Sequence, residues 1–322
     1  MNTIRDGGRY IKEFARKRVL VVGDLMIDEY IDGSADRISP EAPIPVLLQK
    51  SVSHRLGGAG NVAANAAALA STVTLLGIVG KDARGKILTN LTREKRIRPR
   101  FLVDSTRPTT TKVRFVSGHH QLVRIDIEEV HPISRALEKQ MIQMIHTLPA
   151  HHVVIVSDYG KGAITKRVLS ALKEKFGAEN IIADTKPAHA HFFRGLRAIA
   201  PNVKEAAEIV GIEASNDRQA DKVTELLSKR LNTSVVLTRG EQGVTVREHG
   251  KKTVHFKAEV QSVRDVTGAG DTLIAVFALM LVSGGSFVEA AEMANRAAGV
   301  VVGVSGTHAL TRKELEQAVS DV

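Results

Sequence analysis

The fold is decided by one stretch of sequence, Asp265-Val266-Thr267-Gly268-Ala269-Gly270-Asp271-Thr272, which the apolar run Leu273–Val282 follows directly. A Gly-Ala-Gly turn that leads into a helix leaves backbone N–H groups pointing outwards at the positive end of the helix dipole. Its small residues let a phosphate approach the backbone. A carboxylate there would repel phosphate, so Asp271 is interpreted as a base that takes a proton from an attacking hydroxyl. The alternative is a glycine turn closed by an N-cap aspartate, which is common in proteins.

On either side of that stretch, short apolar runs alternate with segments of helical length. The runs that predict strands are Val19–Val22, Val73–Val79, Val153–Val156, Ile181–Ala183, Ala198–Ala200 and Val235–Thr238. The segments that predict helices include Ala63–Ala70, Ile164–Phe176, Asp217–Leu231 and Phe287–Val302. This alternation predicts an α/β fold in which a mostly parallel sheet carries helices on both faces. Ligands bind such sheets at the carboxyl ends of the strands.

Two segments depart from this alternation. Asp28–Gln49 and Pro108–Asp126 are rich in Pro, Thr and β-branched residues, and the second alternates polar with apolar side chains. They predict extra antiparallel strands inserted early in the α/β core. A small sheet beside a ligand cleft would act as a lid.

A second glycine-rich turn lies in the stretch Leu56–Ala70, where it opens an alanine-rich helix. Gly58, Gly60 and Ala63 half-match a dinucleotide fingerprint. No apolar strand precedes them and no suitably placed acid follows, so that interpretation is rejected. A loop of small residues bearing Asn61 suits a polyhydroxylated ligand, whose hydroxyls the amide would bond. A tight helix–sheet contact that needs only small side chains explains the loop equally well.

Three further segments carry polar residues where predicted strands end. Asn202 and Glu205 open a predicted helix, either as an N-cap with its capping-box acid or as groups near nucleotide phosphates and Mg²⁺. The glycines of Thr238–Gly243 suit a hairpin or a nucleotide-contacting loop. Asp24, with Asp28 four residues later, ends the first strand and would accept bonds from sugar hydroxyls, unless it is a solvated loop acid.

Composition limits the function classes. Of the 322 residues, 43% are hydrophobic and 25% charged, which is typical of globular proteins. The chain has no cysteine, which excludes disulfides, thiolate catalysis and Cys-based metal sites. The net charge of +10 fits phosphorylated substrates. Aromatic residues make up only 4% of the chain, which provides few side chains for a surface that stacks on nucleic-acid bases. The polar N-terminus Met1–Tyr10 has no apolar core typical of a signal peptide, so we expect a cytoplasmic protein with neither nucleic-acid nor membrane partner.

The motifs, in the order in which they occur along the chain, resemble those of the ribokinase-like (PfkB) carbohydrate kinase family across essentially the whole chain. Both family signatures are present, the Gly-Gly loop at Gly57–Asn61 and the Asp-x-Thr-Gly-Ala-Gly-Asp segment at Asp265–Asp271. Within the family, the likeness is greatest to the members that phosphorylate a heptose 7-phosphate. The stretches that carry it are Val21–Asp28, Arg37–Val46, Ser157–Gly162, and Ala297–Gly303 with Gly306-Thr307.

The resemblance implies a ribokinase-like three-layer sandwich over residues 1–322, with lid segments at about 28–49 and 108–126. It implies Asp271 as the catalytic base and the amides of Gly268, Ala269 and Gly270 as an anion hole. For ATP it implies Asn202, Val203, Lys204, Glu205, Lys186, Thr238, Gly240, Gly243 and Asn295, with Glu205 also near Mg²⁺, directly or through water. For the sugar it implies Asp24, Asp28, Gly57, Gly58 and Asn61, and for the sugar phosphate it implies Lys112, Arg114 and Arg124.

The same resemblance implies an ATP- and Mg²⁺-dependent kinase that phosphorylates D-glycero-β-D-manno-heptose 7-phosphate at its anomeric C1 hydroxyl. The heptose 1,7-bisphosphate formed would enter ADP-heptose synthesis for lipopolysaccharide. A homodimer through the lid sheets is expected, and the end of the chain at Val322 suggests the kinase half alone of an enzyme that many bacteria fuse to a nucleotidyltransferase. One departure is Asp184-Thr185-Lys186-Pro187, where the family usually has Asp-Pro-Lys-Gly. The alternatives are a kinase for another sugar or sugar phosphate, or a non-catalytic sugar-binding protein on the same fold.

Overall fold

Two sheets organise the computed structural model, which describes residues 4, 7–70, 72–118, 120–259, 265–304 and 306–320. In this part of the chain, nine strands form the large sheet in the order β13-β12-β11-β10-β9-β8-β1-β4-β5, with bounds β1 Arg18–Gly23, β4 Thr72–Gly80, β5 Arg98–Asp104, β8 Val153–Ser157, β9 Ile181–Asp184, β10 Ala198–Ile199, β11 Ser234–Thr238, β12 Val244–Arg247 and β13 Thr253–Phe256. Neighbouring strands are parallel except at β11-β12 and β12-β13, which are antiparallel. The predicted α/β fold with a mostly parallel sheet is confirmed.

Helices cover both faces of this sheet. Their bounds are α1 Gly7–Phe14, α2 Ala59–Leu69, α3 Ala83–Glu94, α4 Arg135–Thr147, α5 Lys166–Phe176, α6 Val203–Val210, α7 Asp217–Leu231, α8 Ala269–Val282, α9 Phe287–Val302 and α10 Arg312–Ser320. Side chains alternate across each strand, so Val19 and Val21 join the core with Phe277, whereas Leu20 and Val22 join the core with Leu172. Burial on both faces explains why β1 is continuously apolar.

The two segments predicted as a lid lie in a separate sheet of four strands, called the lid below, in the order β3-β2-β6-β7, with β2 Leu25–Ile38, β3 Pro45–Gly58, β6 Thr111–Ser117 and β7 His120–Ile127. The pairs β2-β3 and β6-β7 are antiparallel as predicted, whereas β2 and β6 are parallel. The second strand of the lid continues from the predicted boundary at Gln49 to Gly58, because β3 pairs with β2 as far as the pair Leu25 and Gly58. The glycine-rich turn therefore ends a lid strand and starts α2 at once.

Three strands were not anticipated. The segment Arg98–Asp104 is β5 at one edge of the large sheet, and β12 and β13 extend the opposite side. The two edge strands, β5 and β13, carry polar side chains because one side faces solvent, so their apolar signal is weak. No helix in the described ranges has the length and apolar character needed to cross a membrane.

Candidate active site

The candidate site lies where the carboxyl ends of β1, β8 and β9 meet the first turn of α8. Acidic side chains collect at this edge: Asp158 follows β8, Asp184 ends β9, and Asp271 lies in the first turn of α8. In open α/β sheets this edge is where ligands bind. The two motifs that the sequence singles out, one before α2 and one before α8, are thereby brought together from opposite ends of the chain.

Asp271 is buried, and each of its carboxylate oxygens accepts a side-chain hydrogen bond. Asn61 donates from Nδ2 to Oδ2 at 2.7 Å, and Tyr159 donates from its hydroxyl to Oδ1 at 3.0 Å. Burial raises the pKa of Asp271 to about 6, although both hydrogen bonds oppose that rise. At neutral pH the group is therefore ionised but remains a stronger base than an ordinary aspartate.

A second layer of amides holds Asn61 in place. Asn65, one turn later on α2, donates from Nδ2 to the Asn61 backbone carbonyl at 3.0 Å. The Oδ1 atom of Asn65 accepts from the Thr272 hydroxyl at 2.8 Å, so α2 and α8 are joined directly behind the carboxylate. Sequence reasoning missed Asn65. Its position four residues after Asn61, on the same helix face, was the available signal.

The two glycines before α2 are required by close contacts within the protein. A Cβ atom at Gly57 would lie 2.7 Å from Asp28 Oδ2, and one at Gly58 would lie 2.7 Å from the Asp24 carbonyl oxygen. Gly58 also has a positive φ of 53°, which a residue with a side chain adopts at a cost. These contacts support the tight-packing interpretation of the loop, and binding of sugar by Gly57 and Gly58 stays a prediction.

The turn before α8 holds the three residues predicted to form an anion hole, and that role stays a prediction. Gly268 is the N-cap residue with φ 87°, and a Cβ atom there would lie 2.6 Å from Asn61 Nδ2. At Gly270 a Cβ atom would meet nothing within 4 Å, so this glycine borders open space at the positive end of the helix. The amide of Ala269 differs from the expectation, since it already donates to the Val266 carbonyl at 3.4 Å.

Asp24, which is predicted to contact sugar hydroxyls, accepts three backbone N–H groups of one loop. Its Oδ2 atom accepts the backbone N–H groups of Tyr159 and Lys161, at 2.8 and 3.0 Å, and its Oδ1 atom accepts that of Ala163 at 3.1 Å. Asp24 is buried beneath this loop, and burial raises the pKa of its carboxyl group. Asp24 therefore organises the loop that carries Tyr159, and its contact with sugar hydroxyls stays a prediction.

The nucleotide-side residues show the capping-box arrangement. Asn202 caps α6 by accepting the Glu205 N–H at 3.0 Å, and Glu205 accepts the Asn202 N–H at 3.0 Å. Glu205 is also bonded by Lys186, whose Nζ lies 2.5 Å from Oε1. A bridge between Asn202 and Thr238 places the end of β11 beside this helix start. Four predicted ATP residues are therefore close together.

Asp184, at the end of β9, is an acid whose charge state is unusual. Burial raises the pKa of Asp184 to about 8, and the nearby negative charge of Glu205 adds to the rise. The group is therefore protonated at neutral pH in the absence of a bound cation. In the described part of the chain, no group of three or more His, Cys, Asp or Glu side chains is placed to hold a metal ion.

The remaining predicted ATP residues belong to α6, to α9 and to the loop after β11. Val203 and Lys204 line a surface cavity of about 390 Å³ together with Arg239. Gly243, with φ 83°, lies so close to the Phe256 carbonyl that a Cβ atom would collide with it, while a Cβ atom at Gly240 would meet nothing within 4 Å. Asn295, buried on α9, donates to the Lys257 carbonyl at 2.8 Å. Binding of ATP by Val203, Lys204, Gly240, Gly243 and Asn295 stays a prediction.

Beneath the lid, a cavity of about 660 Å³ adjoins the turn before α8. It is lined by residues of the lid, of the turn before α8 and of the segment after α9, namely Tyr30, Asp32, Ser53, Arg55, Arg114, Val116, Gly118, Gln121, Asp265, Thr267 and Gly306. The Arg55 and Arg114 guanidinium carbons lie 5.0 and 5.3 Å from the centre of the Tyr30 ring. Arg114 also pairs with buried Asp28 at 2.5 Å. The cavity thus brings two cations to its lid side.

Of the three cations predicted to bind the sugar phosphate, only Arg114 lines this cavity. Lys112 and Arg124 instead pair with Asp126, at 3.3 and 2.8 Å. Arg55 lines the cavity and was missed. Because side chains two residues apart on a strand share a face, its place two residues before Gly57 was the signal that could have found it.

Comparisons with known proteins agree with the motifs. Residues 16–314 match the model of the pfkB family carbohydrate kinases. The D-beta-D-heptose 7-phosphate kinase of Bordetella bronchiseptica is 40% identical over 305 residues, which cover 94% of this chain and 96% of that protein. The bifunctional protein HldE of Proteus mirabilis is 37% identical over 311 residues, covering 96% of this chain but only 65% of its own length. The chain thus spans about two thirds of that bifunctional relative.

Solved structures support the same fold. The ribokinase of Arabidopsis thaliana, determined with ribose and ATP, superposes with a TM-score of 0.72 at 22% identity, covering 95% of this chain and 99% of that one. At this identity the likeness concerns the fold alone, and it confirms the ribokinase-like architecture.

Proposed function

The chain belongs to the pfkB family of carbohydrate kinases, and we propose that it transfers the γ-phosphoryl group of ATP to the anomeric C1 hydroxyl of D-glycero-β-D-manno-heptose 7-phosphate. The observation that carries the proposal is the placement of Asp271. Its carboxylate is held by Asn61 and Tyr159 at the start of α8, beside a cavity that two arginines line. The heptose 7-phosphate kinase named among the relatives supports this choice of sugar.

In the proposed reaction, Asp271 accepts the proton of the C1 hydroxyl as the oxygen attacks the γ-phosphorus. The bond between that phosphorus and the β–γ bridging oxygen breaks, and ADP leaves. The turn Gly268–Gly270 at the positive end of α8 offsets the charge on the transferring group. The products are heptose 1,7-bisphosphate and ADP, with the hydroxyl proton on Asp271.

Mg²⁺ is proposed as the metal that accompanies ATP. Magnesium in kinases is held through one or two carboxylates, phosphate oxygens and water rather than by an all-protein cage. Glu205 and Asp184 offer such side chains on the nucleotide side, and a bound cation would favour the ionised form of Asp184, whose pKa burial otherwise raises to about 8. When bound, the metal would offset the negative charge of the β- and γ-phosphates. The proposed compartment is the cytoplasm, since the proposed co-substrate is ATP.

We propose that the cavity beneath the lid receives the sugar phosphate, with Arg114 as its principal cation. Replacing Arg114 by glutamine is expected to raise KM for heptose 7-phosphate by about 10- to 100-fold, because a charge-assisted hydrogen bond is lost. KM for ATP is expected to change little. Steady-state kinetics with each substrate varied in turn measures both constants.

Arg124→Gln is the matched control for this prediction. Arg124 is the register partner of Arg114 on β7, but it pairs with Asp126 and does not line the cavity. Its replacement is expected to change KM for the sugar by less than about twofold. Thermal unfolding of both variants checks that the loss of the Arg114–Asp28 pair has not unfolded the lid. Equal KM values in the two variants would refute the assignment of Arg114.

We propose a homodimer through the outer face of the lid. Val52, Val123 and Ile125 lie on the face that points away from the cavity, and they are 42%, 50% and 47% exposed. Exposed apolar side chains grouped on one sheet face are typical of an interaction surface. Val123→Lys is expected to yield monomers when mass is measured by light scattering after gel filtration. A wild-type chain that is monomeric at micromolar concentration would contradict the dimer.

A further inference from the structure

Tyr159, in the loop after β8, contacts three predicted site residues, Asp24, Asp271 and Lys186. Its backbone N–H donates to Asp24 Oδ2 at 2.8 Å, which fixes the start of the loop after β8. Its hydroxyl donates to Asp271 Oδ1 at 3.0 Å. The Nζ atom of Lys186 lies 5.3 Å from the centre of its ring. Both ends of this residue are thus fixed by groups of the site.

We propose that Tyr159 is a positioning residue, whose hydroxyl orients the Asp271 carboxylate and favours its ionised form. The proposal rests on the proposed function only in taking Asp271 as the base. No role for Tyr159 is implied by the motifs that identify the family, in which it is one residue of a longer stretch.

Two hydrogen-bond donors fix the orientation of the Asp271 carboxylate. Asn61 occupies one lone pair of Oδ2 and Tyr159 occupies one lone pair of Oδ1. A carboxylate bonded at both oxygens by groups from different elements cannot rotate about its Cβ–Cγ bond without breaking a hydrogen bond. Each oxygen keeps further lone-pair capacity for the incoming sugar hydroxyl. Proton transfer needs this kind of fixed geometry.

Tyr159 also affects the charge of Asp271, because its hydroxyl donates the hydrogen bond and the carboxylate accepts it. Burial raises the pKa of Tyr159 well above 10, so its hydroxyl keeps its proton and donates at every pH at which the protein would be assayed. A donor to a carboxylate favours the charged form and so lowers the pKa of the acid. Tyr159 therefore opposes the burial that raises the pKa of Asp271. Without the hydroxyl, the pKa of Asp271 is expected to rise.

The first test is independent of enzyme activity. The carboxyl carbon of Asp271 is titrated by ¹³C NMR in the wild type and in Tyr159→Phe, with the signal assigned from its loss in Asp271→Asn. We expect the pKa of Asp271 in Tyr159→Phe to be higher by about one to two pH units, the value for a hydrogen bond to a charged group. An unchanged titration would overturn the proposal.

Tyr10→Phe is the matched control, because it removes the same hydroxyl far from the site. The Tyr10 hydroxyl donates to Glu289 Oε1 at 3.3 Å, where α1 packs near α9. The Asp271 signal is expected to titrate in this variant as in the wild type. A shift as large as that of Tyr159→Phe would mean a general effect on the fold, and would overturn the proposal.

The second test is the pH dependence of kcat/KM for heptose 7-phosphate. Because Asp271 must be ionised to accept a proton, its pKa in the free enzyme sets the acid limb of the profile. In Tyr159→Phe the acid limb is expected to move to higher pH, so that the activity lost near pH 6 partly returns near pH 9. A decline by the same factor at every pH would indicate a merely structural role and would overturn the proposal. A wild-type chain that phosphorylates no sugar would refute the proposed function, while the NMR titration still decides the role of Tyr159.

Discussion

Asp271→Asn is expected to lower kcat by between about 10²- and 10⁴-fold, the contribution typical of a general base. Asparagine keeps the size and shape of the side chain, and its carbonyl oxygen can still accept one of the two hydrogen bonds from Asn61 and Tyr159. The amide nitrogen cannot accept a proton from the sugar hydroxyl. The loss should therefore fall on kcat, and KM for ATP should change little. Steady-state kinetics at saturating ATP measures the effect.

Two controls separate loss of the base from loss of the fold. The thermal unfolding midpoint of Asp271→Asn should equal or exceed that of the wild type, because the variant removes a buried charge. ATP affinity, measured by calorimetry, should also be unchanged within about threefold. A kcat within tenfold of the wild type would mean that another group accepts the proton, and would remove Asp271 from the mechanism.

Gly270→Ala is expected to lower kcat/KM for ATP by about 10²-fold, because the added methyl group would hold the phosphoryl group away from the backbone N–H groups of the turn, and the loss of one such donor contact costs about that much. A Cβ atom at Gly270 meets nothing within 4 Å, so the added methyl group would enter the open space in which the transferring phosphoryl group is proposed to lie. Gly270 is in the first turn of α8, where alanine is the better helix former by up to about 1 kcal/mol. The free energy of unfolding should therefore stay the same or rise while activity falls.

Gly284→Ala is the matched control, for which we expect the opposite result, a loss of stability without a loss of activity. Gly284, in the turn after α8, also has open space around its Cβ position, but its φ of 93° is unfavourable for alanine by about 1–2 kcal/mol. This variant should lose stability and keep its kinetic constants. Urea unfolding and kinetics on both variants give the comparison. A Gly270→Ala enzyme with wild-type kcat/KM would show that the turn does not border the phosphoryl position.

The parts of the fold that could be predicted were those with a strong local signal. Strands buried on both faces, such as β1 and β8, are continuous apolar runs, and the predicted bounds of α7 and α9 agree with the structure. The edge strand β5 and the part of β3 that follows Gln49 contain polar residues among the apolar ones. The burial of these two segments depends on pairing with strands that are distant in sequence. Their strand character could not be read from apolar runs alone.

The residues of the candidate site, too, could be predicted only where the sequence signal is local. Asp271 and the glycines near it were identified because their spacing defines a turn and a helix start. The three amide donors to Asp24 could not be predicted, because they belong to a loop more than 130 residues later in the chain. Tyr159 and Arg55 were missed for the same reason. Their importance comes from contacts with Asp271 and Tyr30, which only the assembled sheets and helices create.

The most direct test of the proposed function is ³¹P NMR of the products formed from ATP and a panel of free and phosphorylated sugars. We predict turnover of heptose 7-phosphate, with a new phosphorus signal coupled to the anomeric proton and the original signal of the 7-phosphate retained. We also predict that hexose 6-phosphates, ribose and unphosphorylated heptose react far more slowly. Preferred turnover of another sugar would contradict the proposed substrate, and turnover of none would contradict the proposal that the chain is a sugar kinase.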